Sequence, residues 1–156
     1  MQSKVLVVYY SRSGRTELLA EGLAAGVEAE GLPVELVKAE EPINQALVAE
    51  AAALAVGSPS YFSNVAWQVK RFIDETIRFY QGRELAGRPF LPFATAGSTE
   101  GARQALEALQ VAFAYHHKMQ QVTTLQSVND SDPHAVRERA KTAGVALAQA
   151  VKASRG

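Results

Sequence analysis

Lys4-Val5-Leu6-Val7-Val8-Tyr9-Tyr10-Ser11-Arg12-Ser13-Gly14-Arg15-Thr16 is the stretch whose reading decides the fold. Its first half, Lys4 to Tyr10, is apolar on both faces, as a parallel strand buried on both sides must be. Its second half, Ser11 to Thr16, is a polar turn with one glycine. Leu19, Leu23 and Val27 then recur at helical steps. A buried strand, a tight polar turn and an amphipathic helix form the first unit of a parallel sheet wrapped by helices.

The rest of the chain repeats that alternation. Gly31 and Pro33 end the first helix and introduce a second strand, Val34 to Lys38. A short helix is expected over Ile43 to Ala51. A third strand, Leu54 to Val56, closes on Gly57-Ser58-Pro59. Val65, Val69, Phe72, Ile73, Ile77 and Tyr80 mark the apolar stripe of the next helix. Pro89 to Ala94 reads as the fourth strand, although Pro92 lacks the amide that an interior strand uses. A bulge or an early strand end near Pro92 is expected to resolve this. Ala102, Ala105, Leu106, Leu109, Ala112 and Phe113 line a further helix, and Val122 to Leu125 a short, uninterrupted fifth strand. Asp132-Pro133 opens the last helix, a cap residue followed by proline at the first helical position. The expected architecture is one α/β domain over residues 1–156. It is a three-layer sandwich whose five-stranded parallel sheet has order 2-1-3-4-5, with helices on both faces.

Composition narrows the function. Among 156 residues, 16 basic balance 16 acidic, which excludes the basic excess of a general nucleic-acid binder. No cysteine is present, which excludes disulfides, cysteine-ligated metal and thiol catalysis. No apolar run reaches the ~18 residues of a membrane span, and no signal-peptide pattern opens the chain, so a cytoplasmic location is expected.

Ligands of an open parallel sheet bind beyond the carboxyl ends of its strands, at the switch in strand order. Three loops meet there: Ser11–Thr16, Ser58–Asn64 and Thr95–Gly101. In the first, three hydroxyls, Gly14, Arg12 and Arg15 precede a helix whose free amides suit a phosphate. An ordinary strand–helix turn capped by serine or threonine is the plainer alternative. Neither nucleotide glycine fingerprint is present, so a terminal monophosphate fits better than a pyrophosphate. Tyr61 reads either as a ring-stacking residue or as an exposed loop aromatic. Trp67, within a helix, is expected to pack or to face a partner. The stripe ending at Phe113 extends to His116, which should turn inward, with His117 turned away. A histidine at a helix C-terminus is also favoured by the dipole alone.

On these residues the chain resembles the flavodoxin-like FMN-binding family. Ser11-Arg12-Ser13-Gly14-Arg15-Thr16 is similar to the flavodoxin phosphate loop. Gly57-Ser58-Pro59-Ser60-Tyr61-Phe62-Ser63-Asn64, with the later Phe72-Ile73-Asp74, resembles the matching segment of WrbA-type NAD(P)H:quinone oxidoreductases, as does the loop at Thr95-Ala96-Gly97-Ser98. The resemblance implies FMN, its phosphate held by Ser11, Arg12, Ser13, Gly14, Arg15 and Thr16. Pro59, Ser60, Tyr61, Phe62 and Asn64 would line the isoalloxazine ring, and Thr95, Ala96, Gly97 and Ser98 would meet its polar edge. His116 would correspond to the histidine that reaches the flavin in WrbA-type proteins. The implied activity is NAD(P)H-dependent reduction of a quinone-like acceptor. Single-electron carriage to a redox partner protein, or non-catalytic FMN binding, are the alternatives. A homo-oligomer is compatible with either, and neither a membrane nor nucleic acid is an expected partner.

Departures accompany the matches. The segments that WrbA-type proteins insert late in the domain are missing. Electron-carrier flavodoxins are acidic and stack a tyrosine from the third loop, whereas this chain is neutral and that loop has no aromatic residue. A receiver-type acidic site, a cysteine phosphatase and a Gly-x-Ser-x-Gly hydrolase all lack their residues here.

Overall fold

The computed structural model describes residues 4–129 and 132–155. β1 (Val5–Tyr9), β2 (Val34–Lys38), β3 (Ala53–Tyr61) and β5 (Pro89–Ala96) form a parallel sheet of order β2-β1-β3-β5. Two short strands, β6 (Gln120–Gln121) and β7 (Leu125–Val128), share the outer flank of β5. This is the expected flavodoxin-like order, with β4 (Asn64–Val65) added as an antiparallel partner of β3.

Alternation along the strands sorts the core into two layers. Val5, Val7, Tyr9, Ala55 and Phe93 face α1 (Arg15–Ala29) and α5 (Pro133–Arg155). Leu6, Val8, Leu54, Val56 and Phe90 face α2 (Gln45–Glu50), α3 (Trp67–Glu75) and α4 (Thr99–Leu109). Gly144 lets α5 touch α1, because a Cβ there would sit 2.1 Å from the Leu23 carbonyl oxygen.

Pro92 does lie within a strand, paired with Val56. Arg88 and Phe90 turn their carbonyls outward, accepting from Gln120 N and Val122 N. By the same parity the nitrogen of Pro92 faces outward too. There the flanking strand breaks, with Val122–Thr124 outside any strand. The fifth strand is therefore split rather than uninterrupted, and the missing donor meets no ladder.

Two helices change pitch, and each change moves a residue that spacing assigns otherwise. After Glu75 the chain tightens into a 3₁₀ turn over Thr76–Phe79, with Thr76 Oγ1 donating to Ile73 O at 2.6 Å. Thr76 and Phe79 become the buried residues, while Ile77 is 71% exposed and Tyr80 also faces outward. After Leu109 the chain loosens into a π-helix over Gln110–His116; His117 N donates to Ala112 O, five residues back, at 3.1 Å. The wider turn carries the inward face from Phe113 to His117, which is 7% exposed. His116 is exposed instead, reversing the expectation for the pair.

Candidate functional site

The structure brings the three loops together and bolts them to one another. Thr16 Oγ1 and Thr95 Oγ1 lie 2.8 Å apart in a buried contact. Arg15 Nη2 donates to Ala96 O at 3.2 Å. Ser60 Oγ donates to Gly101 O at 2.9 Å, tying the second loop to α4.

The first loop carries the free donors. Gly14 adopts a left-handed φ of 93°, and a Cβ there would meet nothing within 4 Å. Ser11 Oγ accepts from Gly14 N and Glu17 N, each at 3.2 Å. That leaves the amides of Arg12, Ser13, Arg15 and Thr16 without a hydrogen-bond partner among the described residues. Four unpaired amides at the positive end of a helix suit an anion. Ser13 is exposed, with its hydroxyl unengaged among the described residues. The Thr16 hydroxyl is engaged with Thr95, so it shapes the loop rather than lining its surface.

The second loop departs from its expected form. Pro59, Ser60 and Tyr61 belong to β3, which runs past Gly57-Ser58-Pro59 instead of ending there. Phe62 and Ser63 then take left-handed φ values of 53° and 63°, and β4 returns antiparallel with Tyr61 opposite Asn64. A two-residue turn with both φ positive is a hairpin, costly for a phenylalanine. It holds the Phe62 ring fully in solvent, beside an exposed Tyr61. Asn64 Oδ1 accepts from Val65 N at 2.8 Å and steadies the return strand. Trp67 is 66% exposed, with the Arg71 guanidinium 5.4 Å from its ring.

In the third loop, Ser98 caps α4 by accepting from Gly101 N at 3.0 Å. Asn129, which spacing does not single out, grips this loop. Its backbone N donates to Ala96 O at 3.3 Å and its Nδ2 to Gly97 O at 2.5 Å. A strand followed by asparagine was the only available signal, and it is a weak one.

The charge around the loops is positive. Glu100, the sole acid of the three loops, is clasped by Arg103 and Gln104, which lower its pKa to about 2. Arg12 has no acidic partner among the described residues.

His116 does not join this cluster. α4 starts at Ser98, beyond the carboxyl end of β5, and runs back along the sheet; at ~1.5 Å per residue, His116 lies roughly 25 Å away. It sits against Tyr80 and Tyr115, with ring centroids at 6.2 and 4.9 Å. His117 Nε2 lies 3.0 Å from Thr76 Oγ1. That hydroxyl's proton already goes to Ile73 O, so the histidine is the donor. Its Nδ1 is buried and has no hydrogen-bond partner among the described residues. Burial, then the neighbouring His116, push its pKa below the usual value.

The family model described as NADPH-dependent FMN reductase matches residues 3–133. The chain belongs to that family. It is 31% identical to NAD(P)H dehydrogenase (quinone) 3 of Rhizobium meliloti, the match covering 65% of this chain and 57% of that protein. It is 36% identical to a flavodoxin of Aquifex aeolicus, over 65% of this chain and 54% of that one. The chain thus spans little more than half the length of these relatives. A WrbA-like flavodoxin structure from Agrobacterium tumefaciens superposes with a TM-score of 0.80 at 24% identity, covering 97% of this chain and 99% of that one. That likeness concerns the fold.

The flavodoxin-like FMN-binding family and the loop geometry agree in kind. Free amides, open space above Gly14 and unpaired donors at Gly97 and Ser98 fit a flat ring carrying a terminal phosphate. Among the described residues, no helix is long and apolar enough to cross a membrane.

Proposed function

We propose that this chain binds FMN at the three loops and serves NAD(P)H-dependent reduction of a quinone-like acceptor in the cytoplasm. The observation that carries the reading is the set of unpaired donors on a rim whose one acid is neutralised. Bound FMN would supply hydride acceptance and donation. The chain's own residues would do the rest. The amides of Arg12, Ser13, Arg15 and Thr16 and the Ser13 hydroxyl would hold the phosphate. Pro59 and Ser60 would flank the ring, and the Gly97 and Ser98 amides would meet its polar edge. Arg12 and Arg15 would attract an anionic dinucleotide. The exposed Tyr61–Phe62 hairpin would leave one ring face open to a flat acceptor.

Single-electron carriage to a protein partner is the second reading, favoured by the exposed Phe62 and Trp67 rings beside the site. A stepwise reductive titration, with NAD(P)H oxidation followed alongside, separates the two. Stoichiometric NAD(P)H oxidation in the presence of a quinone supports the reductase. Two well-separated one-electron steps with no NAD(P)H oxidation would transfer the assignment to electron carriage. A colourless chain that ignores added FMN would end both.

A further inference from the structure

Asn129 stands at the end of β7 with a left-handed φ of 52°, a conformation that asparagine tolerates better than most residues. From there it holds two successive carbonyls. Its backbone N–H reaches Ala96 O and its Nδ2 reaches Gly97 O. Arg15 Nη2 adds a second donor to Ala96 O. Both carbonyls are thereby turned toward the β7 side.

In a trans peptide the N–H points opposite to the carbonyl of the same plane. The Gly97 and Ser98 N–H groups therefore point the other way, toward β3. The β3–β5 ladder ends at the Pro59–Thr95 rung. Beyond it, neither amide has a partner among the described residues. Two parallel donors thus overlook the space between the second and third loops. Gly97 accepts almost any backbone angle, so nothing in its own chemistry keeps the Gly97–Ser98 peptide in this orientation. Asn129 Nδ2 does.

We propose that Asn129 is a positioning residue that aims the Gly97 and Ser98 amides at the polar pyrimidine edge of the flavin. The proposal rests on the FMN reading and adds to it how the site stabilises negative charge. Reduction places electron density on that edge, where preorganised N–H dipoles act most strongly. Asn129 touches no cofactor atom and works through the two amides alone.

The test uses the full chain loaded with FMN and two variants. Asn129→Gly keeps the left-handed backbone and its N–H but removes Nδ2. Asn129→Asp keeps the shape and sets a carboxylate against Gly97 O. FMN affinity, the two-electron midpoint potential and the melting temperature of the apoprotein are measured for each. Asn129→Asp should weaken FMN by about 5- to 30-fold, the range for losing one or two oriented hydrogen bonds. The midpoint should fall by ~30 mV for each tenfold by which reduced FMN loosens more than oxidised. Asn129→Gly should show the same signs with smaller changes, and the apoprotein melting temperatures should stay together. Wild-type affinity and midpoint in both variants would overturn the positioning role. A wild-type chain that takes up no FMN would overturn the FMN assignment, and the positioning role with it.

Discussion

α4 begins and ends among polar groups, and its two ends treat them in opposite ways. At its start the Gly97 and Ser98 amides have no partner among the described residues, and both residues are exposed. Beyond its end, past the π-helix, His117 is packed between Phe113 at 5.7 Å and Tyr80 at 6.3 Å and donates its Nε2 proton to Thr76 Oγ1. A donor can go unpaired on an open rim because solvent satisfies it until a ligand arrives. A buried group has no such substitute and must be paired or stay neutral. Binding capacity therefore collects at the carboxyl end of the sheet, and packing energy at the amino end.

Substitutions at the two ends should separate these roles. The largest effect is expected from Phe113→Ala, which removes a fully buried ring packed on Phe72, Phe90 and His117. It should cost about 3–5 kcal/mol in urea unfolding and leave the FMN affinity of the folded fraction unchanged. Equal losses in both quantities would erase the distinction between the ends.

Ser13→Ala and Thr16→Val sharpen it from the other side. Ser13→Ala should weaken FMN by about 1–3 kcal/mol, the range for a bond to a charged group, and Thr16→Val by less, because its hydroxyl shapes the loop without facing the ligand. Only Thr16→Val should also lower the melting temperature, because it strands the buried Thr95 hydroxyl. Calorimetry of apo and loaded protein reads both quantities.

A smaller effect concerns pH. The folded pKa of His117 lies below its unfolded value of about 6.5. As pH falls from that value toward the folded pKa, the unfolded chain binds the extra proton and stability is lost. Below the folded pKa the loss levels off. The slope contributed by one such group cannot exceed ~1.4 kcal/mol per pH unit. Urea midpoints from pH 8 to 5 should show this decline, and His117→Gln should flatten it.

Glu100→Gln should change least. It unclasps an exposed pair, so melting should not move. At low salt the more positive rim should favour an anionic electron donor, an advantage that vanishes as salt is raised.

Much of this arrangement was legible in the chain itself. Val5 to Tyr9 and the turn after it announced the sheet, and residues 11–16, 57–64 and 95–98 announced the loops that structure brings together. What spacing could not reveal were departures from a constant pitch. A stripe counted at 3.6 residues per turn runs correctly through Phe72 and Phe113. It then assigns Ile77, Tyr80 and His116 to the interior because it cannot know that α3 tightens and α4 loosens. Two hydrogen bonds, Thr76 to Ile73 and His117 to Ala112, make those changes. The β3–β4 hairpin was hidden for a related reason. Phe62 and Ser63 are not the residues that a turn with two positive φ values usually selects. Asn129 escaped notice because its role depends on a carbonyl 32 residues closer to the N-terminus.

The split outer strand has a consequence for life at high protein concentration. A sheet edge is a template on which another chain can lay a strand. Here the outer edge consists of two-residue β6 and four-residue β7, separated by Val122–Thr124. An incoming strand would lose register at that step after pairing only a few residues. The opposite edge, β2, carries two charges, a half-buried Glu35 paired with Lys4 and an exposed Lys38. Pro92, which offers no amide donor opposite that break, leaves this edge a poor template for edge-to-edge growth.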